Sequence, residues 1–141
     1  MAVANLMSKA VVTVEMDDTL KMIKHIFDST NFHHLLVIND DKLIGIISDR
    51  DLLKALSPNL DTVSETPKDL ALLNKRAHQI MTRNPITLLP SAKVYDAVDI
   101  FHNNNISAIP IVNNDKKAVG ILSWRDVIRA LAVIRKNKKM Q

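Results

Sequence analysis

The sequence predicts an α+β fold: two β-α-β-β-α repeats packed about a pseudo-twofold axis. Three observations carry this. The only two glycines, Gly45 and Gly120, lie 75 residues apart, and Gly45-Ile46-Ile47-Ser48-Asp49-Arg50-Asp51 returns as Gly120-Ile121-Leu122-Ser123-Trp124-Arg125-Asp126. Ala55-Leu56 returns as Ala130-Leu131. Upstream, Met7 and Met81, Thr13 and Thr87, Phe27 and Phe101, and Asn31 and Asn105 pair at a separation of 74, so one inserted residue near Lys117 accounts for the offset. The repeat covers about residues 6–56 and 80–131. Two copies are too few for a solenoid, which leaves two copies facing one another as the simpler solution.

Each element follows from local pattern. Val11, Val12 and Val14 are β-branched and predict a short opening strand. Leu20, Ile23, Ile26 and Phe27 recur at helical spacing, as do Val94, Ala97, Val98 and Phe101. Asp18 and Ser91 are expected to cap these helices. The apolar runs 35–38 and 109–112 predict strands buried on both faces. Asn39-Asp40-Asp41 and Asn113-Asn114-Asp115 supply turns, and a second strand follows over 43–47 or 118–122. A closing helix begins near Asp49 or Trp124. Residues 57–79 connect the copies, with Pro58 and Pro67 as punctuation and a helix expected from Lys68 to Ala77. The repeats divide the chain at 1–66 and 67–141.

Composition narrows the function. The chain has 141 residues and 47% hydrophobic content, enough to form a globular core. It has no cysteine, which excludes disulfides, thiolate metal sites and cysteine nucleophiles. Two isolated glycines cannot form a P-loop or a Rossmann fingerprint. No apolar run reaches membrane-spanning length, and the N-terminus lacks secretory character, so a cytoplasmic protein is expected. The net charge of +4 equals the charge of Arg135, Lys136, Lys138 and Lys139, giving a neutral body with a basic tail. Such a tail either ends a solvated helix or touches anions.

The repeated Gly-Ile-x-Ser-x-Arg-Asp motif places a hydroxyl, free first-turn N–H groups and a carboxylate where a buried strand meets a helix. This geometry admits two readings. It can hold a sugar and phosphate, or Ser-x-x-Asp can simply be a capping box. The glycine lets a ligand or another backbone approach closely.

The β-α-β-β-α order, the tandem copies and the Gly-h-x-Ser-x-x-Asp motif together resemble CBS domains paired as a Bateman module. Residues 80–87 are similar to the family's repeat start, and 106–112 to its middle strand. The resemblance implies a regulatory module that binds AMP, ADP or ATP, with NAD-type ligands or S-adenosylmethionine as second choices, and requires no cofactor. It implies that Asp51 with Ser48, and Asp126 with Ser123, hold the ribose and phosphate. It also implies adenine contacts from Val12, Phe32, Leu36, Thr82, Ile86, Ile106, Ala108 and Pro110, in two composite clefts, and a homodimer of modules. His33 and His34 match a position where the family carries phosphate-contacting basic residues; the second copy has Ser107 and Ala108 there. The Asp51 cleft is therefore expected to be the tighter one. Leu36 replaces the strand proline that Pro110 keeps. Arg50 and Arg125 could reach a phosphate or pair with surface acids. Trp124, the only tryptophan, could report ligand binding or serve a dimer contact.

Adjacent histidines in a strand point to opposite faces and cannot share an ion, and His25, His78 and His102 lack partners at metal-ligand spacing. No metal site and no catalytic set can be assembled from these residue types. The alternatives to a nucleotide-sensing module acting on an unknown effector are a dimerisation scaffold with degenerate sites and, less in keeping with the neutral body, nucleic-acid binding through the tail. Apolar positions on the closing helices, such as Leu52, Leu53, Val127 and Ile128, would serve a homodimer or the core.

Overall fold

The computed structural model describes residues 1–140. In chain order the elements are β1 (Thr13–Glu15), α1 (Leu20–Ser29), β2 (His34–Asn39), β3 (Lys42–Ser48), α2 (Asp49–Ala55), α3 (Pro67–Ala71), α4 (Ala77–Ile80), β4 (Thr82–Arg83), α5 (Val94–Asn103), β5 (Ala108–Val112), β6 (Ala118–Ser123) and α6 (Trp124–Lys139). The expected α+β class and the two copies of the repeat are both present.

Packing divides the chain into two compact units, Val12–Pro85 and Met1–Val11 with Ile86–Gln141. This division crosses the 1–66 and 67–141 boundary drawn from the repeats. The reason lies in short strand segments. In the Val12–Pro85 unit the sheet order is β1-β2-β3-β4, with β1 and β2 parallel and β2-β3-β4 antiparallel. The edge strand β4 belongs to the second sequence repeat, yet its Thr82 pairs with Ile46. The other unit shows the counterpart: Ser8, from the first repeat, bridges Ile121 of β6. Each sheet is thus completed by the opening residues of the other sequence copy.

The Val12–Pro85 unit closes over Val14, Leu20, Ile23, Leu35, Val37, Ile47 and Leu52, all buried. In the other unit Val3, Val94, Ala97, Ile109, Ile111, Leu122 and Val127 do the same. The fully buried β5 and the three buried residues at the centre of β2 match the continuous apolar runs read from the sequence. Asn39-Asp40-Asp41 turns the chain with Asp40 and Asp41 both at positive φ, where aspartate is tolerated better than most residues.

Four local expectations need correction. The N-cap of α1 is Thr19, not Asp18: Thr19 Oγ1 accepts the Met22 N–H at 3.3 Å. Asp18 instead closes the preceding turn, its Oδ2 accepting the Glu15 N–H at 2.7 Å. The residue before α5 is Lys93, not Ser91, and its N–H donates to Asp96 Oδ2 at 2.9 Å. The Lys68–Ala77 helix is broken into α3, a 3₁₀ turn at Leu72–Asn74, and α4. Lys75 and Arg76 are extended between them because the Lys75 carbonyl accepts the Leu20 N–H at 2.9 Å and Arg76 bridges Thr19. Pairing to the start of α1 outweighs local helix propensity there. The opening strand of the second copy is reduced to one parallel bridge, Leu88 to Ile111, between Pro85 and Pro90, which cannot donate to a ladder.

Candidate functional site

In the Val12–Pro85 unit, β3 ends at Ser48 and α2 begins at Asp49 without an intervening loop. Ser48 Oγ accepts the Asp51 N–H at 3.0 Å, while Asp51 Oδ2 accepts the Ser48 N–H at 2.8 Å. This is a complete capping box. The second copy repeats it, with Asp126 N–H to Ser123 Oγ at 3.2 Å and Ser123 N–H to Asp126 Oδ2 at 2.9 Å. The capping reading of the motif is therefore realised twice. All four residues are nonetheless half-buried rather than enclosed. Each box engages Oδ2 of its aspartate, and among the described residues Oδ1 receives no hydrogen bond.

The strands set what faces the motif. His34 stands opposite Ser48 in the β2–β3 ladder, and Ala108 stands opposite Ser123 in the β5–β6 ladder. The two copies thus differ at the residue across from the hydroxyl: an imidazole in one, a methyl group in the other. Burial pushes the His34 imidazole below the ordinary histidine value, and the neighbouring His33 adds to this, while the Asp49 and Asp51 carboxylates oppose it.

His33 is not part of the strand. β2 starts at His34, and the His33 carbonyl accepts the Asp49 N–H at 2.9 Å. The alternation argument for separating the two rings therefore needs correction. They differ because His33 lies outside, with its side chain 76% exposed and Nδ1 3.0 Å from Asp49 Oδ2, whereas His34 is half-buried. Among the described residues no cluster of three or more His, Asp or Glu could hold a metal ion.

The remaining residues named from the sequence divide between the units. Val12, Phe32, His33, His34, Leu36, Ser48, Arg50, Asp51 and Thr82 lie in Val12–Pro85. Ile86, Ile106, Ala108, Pro110, Ser123, Arg125 and Asp126 lie in the other. Leu36 and Pro110 are buried at equivalent strand positions; the Leu36 N–H donates to the Val12 carbonyl at 3.0 Å, and the Pro110 carbonyl accepts the Leu88 N–H at 3.2 Å. Ile86 and Ile106 are exposed at 40% and 37%, whereas Ala108 is buried.

One feature was missed by sequence reasoning. A groove of about 460 Å³ is lined by Phe27, Phe32, His33, Asp49, Leu52 and Leu53, so Asp49 rather than the motif residues Ser48 and Asp51 borders it. Phe27 and Phe32, five residues apart, were the available signal. The glycines are explained by their own chain. A Cβ at Gly45 would meet the Met81 side chain and the Thr82 carbonyl, and one at Gly120 would meet Met7 and the Ser8 carbonyl. Of the two alternatives for the glycine, it is another segment of this chain that approaches, first through the methionine side chain and then through a backbone carbonyl.

The CBS domain family matches residues 3–58 and 77–133, both copies of the repeat. The chain belongs to this family. A CBS domain-containing protein of Dictyostelium discoideum is 31% identical over 92% of this chain and 90% of its own length. The Methanocaldococcus jannaschii protein MJ1225 is 30% identical over 88% of this chain, which spans only 46% of that relative's length. Its crystal structure, described as that of a proposed archaeal homolog of g-AMPK, superposes with a TM-score of 0.78 over 93% of this chain and 50% of that one, at 28% identity. The CBS domain pair of protein MJ0100, solved with 5-methylthioadenosine and S-adenosyl-L-methionine, gives a TM-score of 0.76 at 28% identity over 94% and 96% of the two chains. Among the described residues no helix of this CBS pair is long and apolar enough to cross a membrane.

Proposed function

We propose that this CBS pair is a non-catalytic regulatory module of the cytoplasm that binds an adenosine-containing ligand and reports it to an effector protein. The observation that carries this reading is the duplicated, half-buried Ser-Asp pair at a strand end, each aspartate with one carboxylate oxygen that takes no hydrogen bond from the described residues. A carboxylate oxygen suits a ribose hydroxyl, and first-turn N–H groups suit a phosphate. The similar CBS pair of MJ0100 was solved with two adenosine derivatives, which supports the ligand class. AMP, ADP and ATP are the first candidates, with S-adenosylmethionine and NAD next. Asp51, Ser48, His33, His34 and Arg50 form the proposed core of the tighter site, and Asp126, Ser123 and Arg125 that of the second. Val12, Phe32, Leu36, Thr82, Ile86, Ile106, Ala108 and Pro110 are proposed to contact the base.

A second reading, a dimerisation scaffold, is favoured by the completeness of both capping boxes, since Ser and Asp then have a structural task without any ligand. Calorimetry with AMP, ATP, NAD and S-adenosylmethionine separates the two. Asp51→Asn keeps a cap acceptor but removes the charged oxygen pair, and Asp126→Asn does so in the second copy. Nucleotide binding that weakens at least about tenfold in the double variant supports the sensor. Binding of none of the four ligands, or equal binding by the double variant, favours the scaffold.

A further inference from the structure

α6 continues well past its repeat counterpart: α2 has 7 residues and α6 has 16. The extension is not a loose tail, because Leu131 and Ile134 pack onto the core of their unit. It is strongly charged. Six cations face one carboxylate, Asp126, so the helix carries +5 in a chain whose net charge is +4. Asp126 is itself occupied by the capping box. Among the described residues none of the six cations has a carboxylate within ion-pair distance.

The arrangement of these charges is ordered. Arg129, Val133 and Lys136 follow at spacings of four and three residues, which places them in line on one helix face, and Met140, the cap residue just past the helix, stands four further on. All four are exposed, Val133 at 49% and Met140 at 78%. Arg125, one turn earlier, extends the line. Helix-dipole complementarity explains cations in the last turn only, not Arg125 and Arg129.

We infer that this seam is the docking surface for an acidic amphipathic helix of a partner protein. A seam that alternates cation and apolar side chain matches a facing helix that alternates carboxylate and apolar side chain. A helix lying on a bilayer needs a separate apolar face, and here that face is already used against the core. A nucleic-acid backbone matches the cations but gains nothing from Val133 and Met140. Self-pairing along this face, as opposed to the face that carries Ile128, would set Arg125, Arg129 and Lys136 of two copies side by side. The inference stands whether or not the module binds a nucleotide.

The test uses the full chain and a fluorescein-labelled designed helical peptide with Leu at its a and d positions and Glu beside them. Fluorescence anisotropy is expected to show binding that weakens with added salt and falls at least about tenfold in Arg129→Glu/Lys136→Glu. The same charge change placed at the exposed Lys42 and Lys68 is expected to alter it less than about threefold. Val133→Ser is expected to weaken binding without changing the salt dependence. Circular dichroism checks folding, and Lys136→Gln alone replaces the double variant if that does not fold. The inference fails if the peptide does not bind, if the Lys42/Lys68 variant loses as much affinity as the seam variant, or if a single-stranded oligonucleotide or phosphatidylglycerol-containing vesicles bind more tightly than the peptide. Self-association through the seam, seen as a sedimentation shift lost in Arg129→Glu/Lys136→Glu, would also overturn it. Nucleotide titrations of the same variants are expected to be unchanged, which keeps this outcome separate from that of the ligand reading.

Discussion

A Cβ placed on Gly45 would stand 2.5 Å from the sulfur of Met81 and 3.1 Å from the Thr82 carbonyl oxygen. Neither glycine has positive φ, so the constraint is space and not backbone conformation. Gly120 and Met7 repeat the relation at 2.5 Å. Residue pairs 74 or 75 apart in sequence thus share one packing device: a methionine from the opening of one sequence copy lies over the glycine of the other.

Gly45→Ala should destabilise the protein by about 1–3 kcal/mol, the usual cost of an extra methyl group in a packed position. Urea denaturation measures it. Pairing Gly45→Ala with Met81→Ala should recover only part of the loss, because the Thr82 carbonyl remains; full additivity of the two changes would show that the contact does not matter.

Ser123→Ala should cost about 1 kcal/mol through loss of the α6 N-cap. Asp126→Asn should cost less, since the amide oxygen can still accept the Ser123 N–H. The ranking, read from denaturation midpoints, separates the structural task of the motif from its proposed ligand task, in which the aspartate matters more.

Stability should fall as the pH drops below the ordinary histidine value, in part through His34. Its folded-state pKa is depressed by burial, so the unfolded chain binds the proton more readily and is favoured as the pH falls from about 6.5 toward the lower folded value. Asp49 and Asp51 moderate the effect, and His33 adds to it. Thermal melts across this range should flatten in His34→Gln. An unchanged slope would place the pH dependence elsewhere.

Leu53 and Ile128 occupy equivalent repeat positions and are 73% and 54% exposed. Apolar residues exposed at both equivalent positions suit the proposed homodimer. Leu53→Asp with Ile128→Asp should shift sedimentation from dimer to monomer while leaving the helical signal intact. A wild-type protein that sediments as a monomer would remove the proposal.

Sequence alone was enough for the repeat, for the helices and strands that carry it other than the opening strand of the second copy, and for the motif at the strand-to-helix junction. These depend on periodicity of two and 3.6 residues and on short-range chemistry, both local to the chain. Ser48 with Asp51 and Ser123 with Asp126 are three residues apart, so their mutual hydrogen bonds could be anticipated; which reading of them applies beyond the cap could not. The tertiary structure decided the rest. It assigned Thr82 to the edge of Ile46 and Ser8 to the edge of Ile121, set His34 across from Ser48, and drew Lys75 and Arg76 out of helical conformation. It also placed methionine sulfurs over the two glycines. Each of these is a contact between segments distant in sequence, where register and side-chain volume, not local preference, determine what lies next to what.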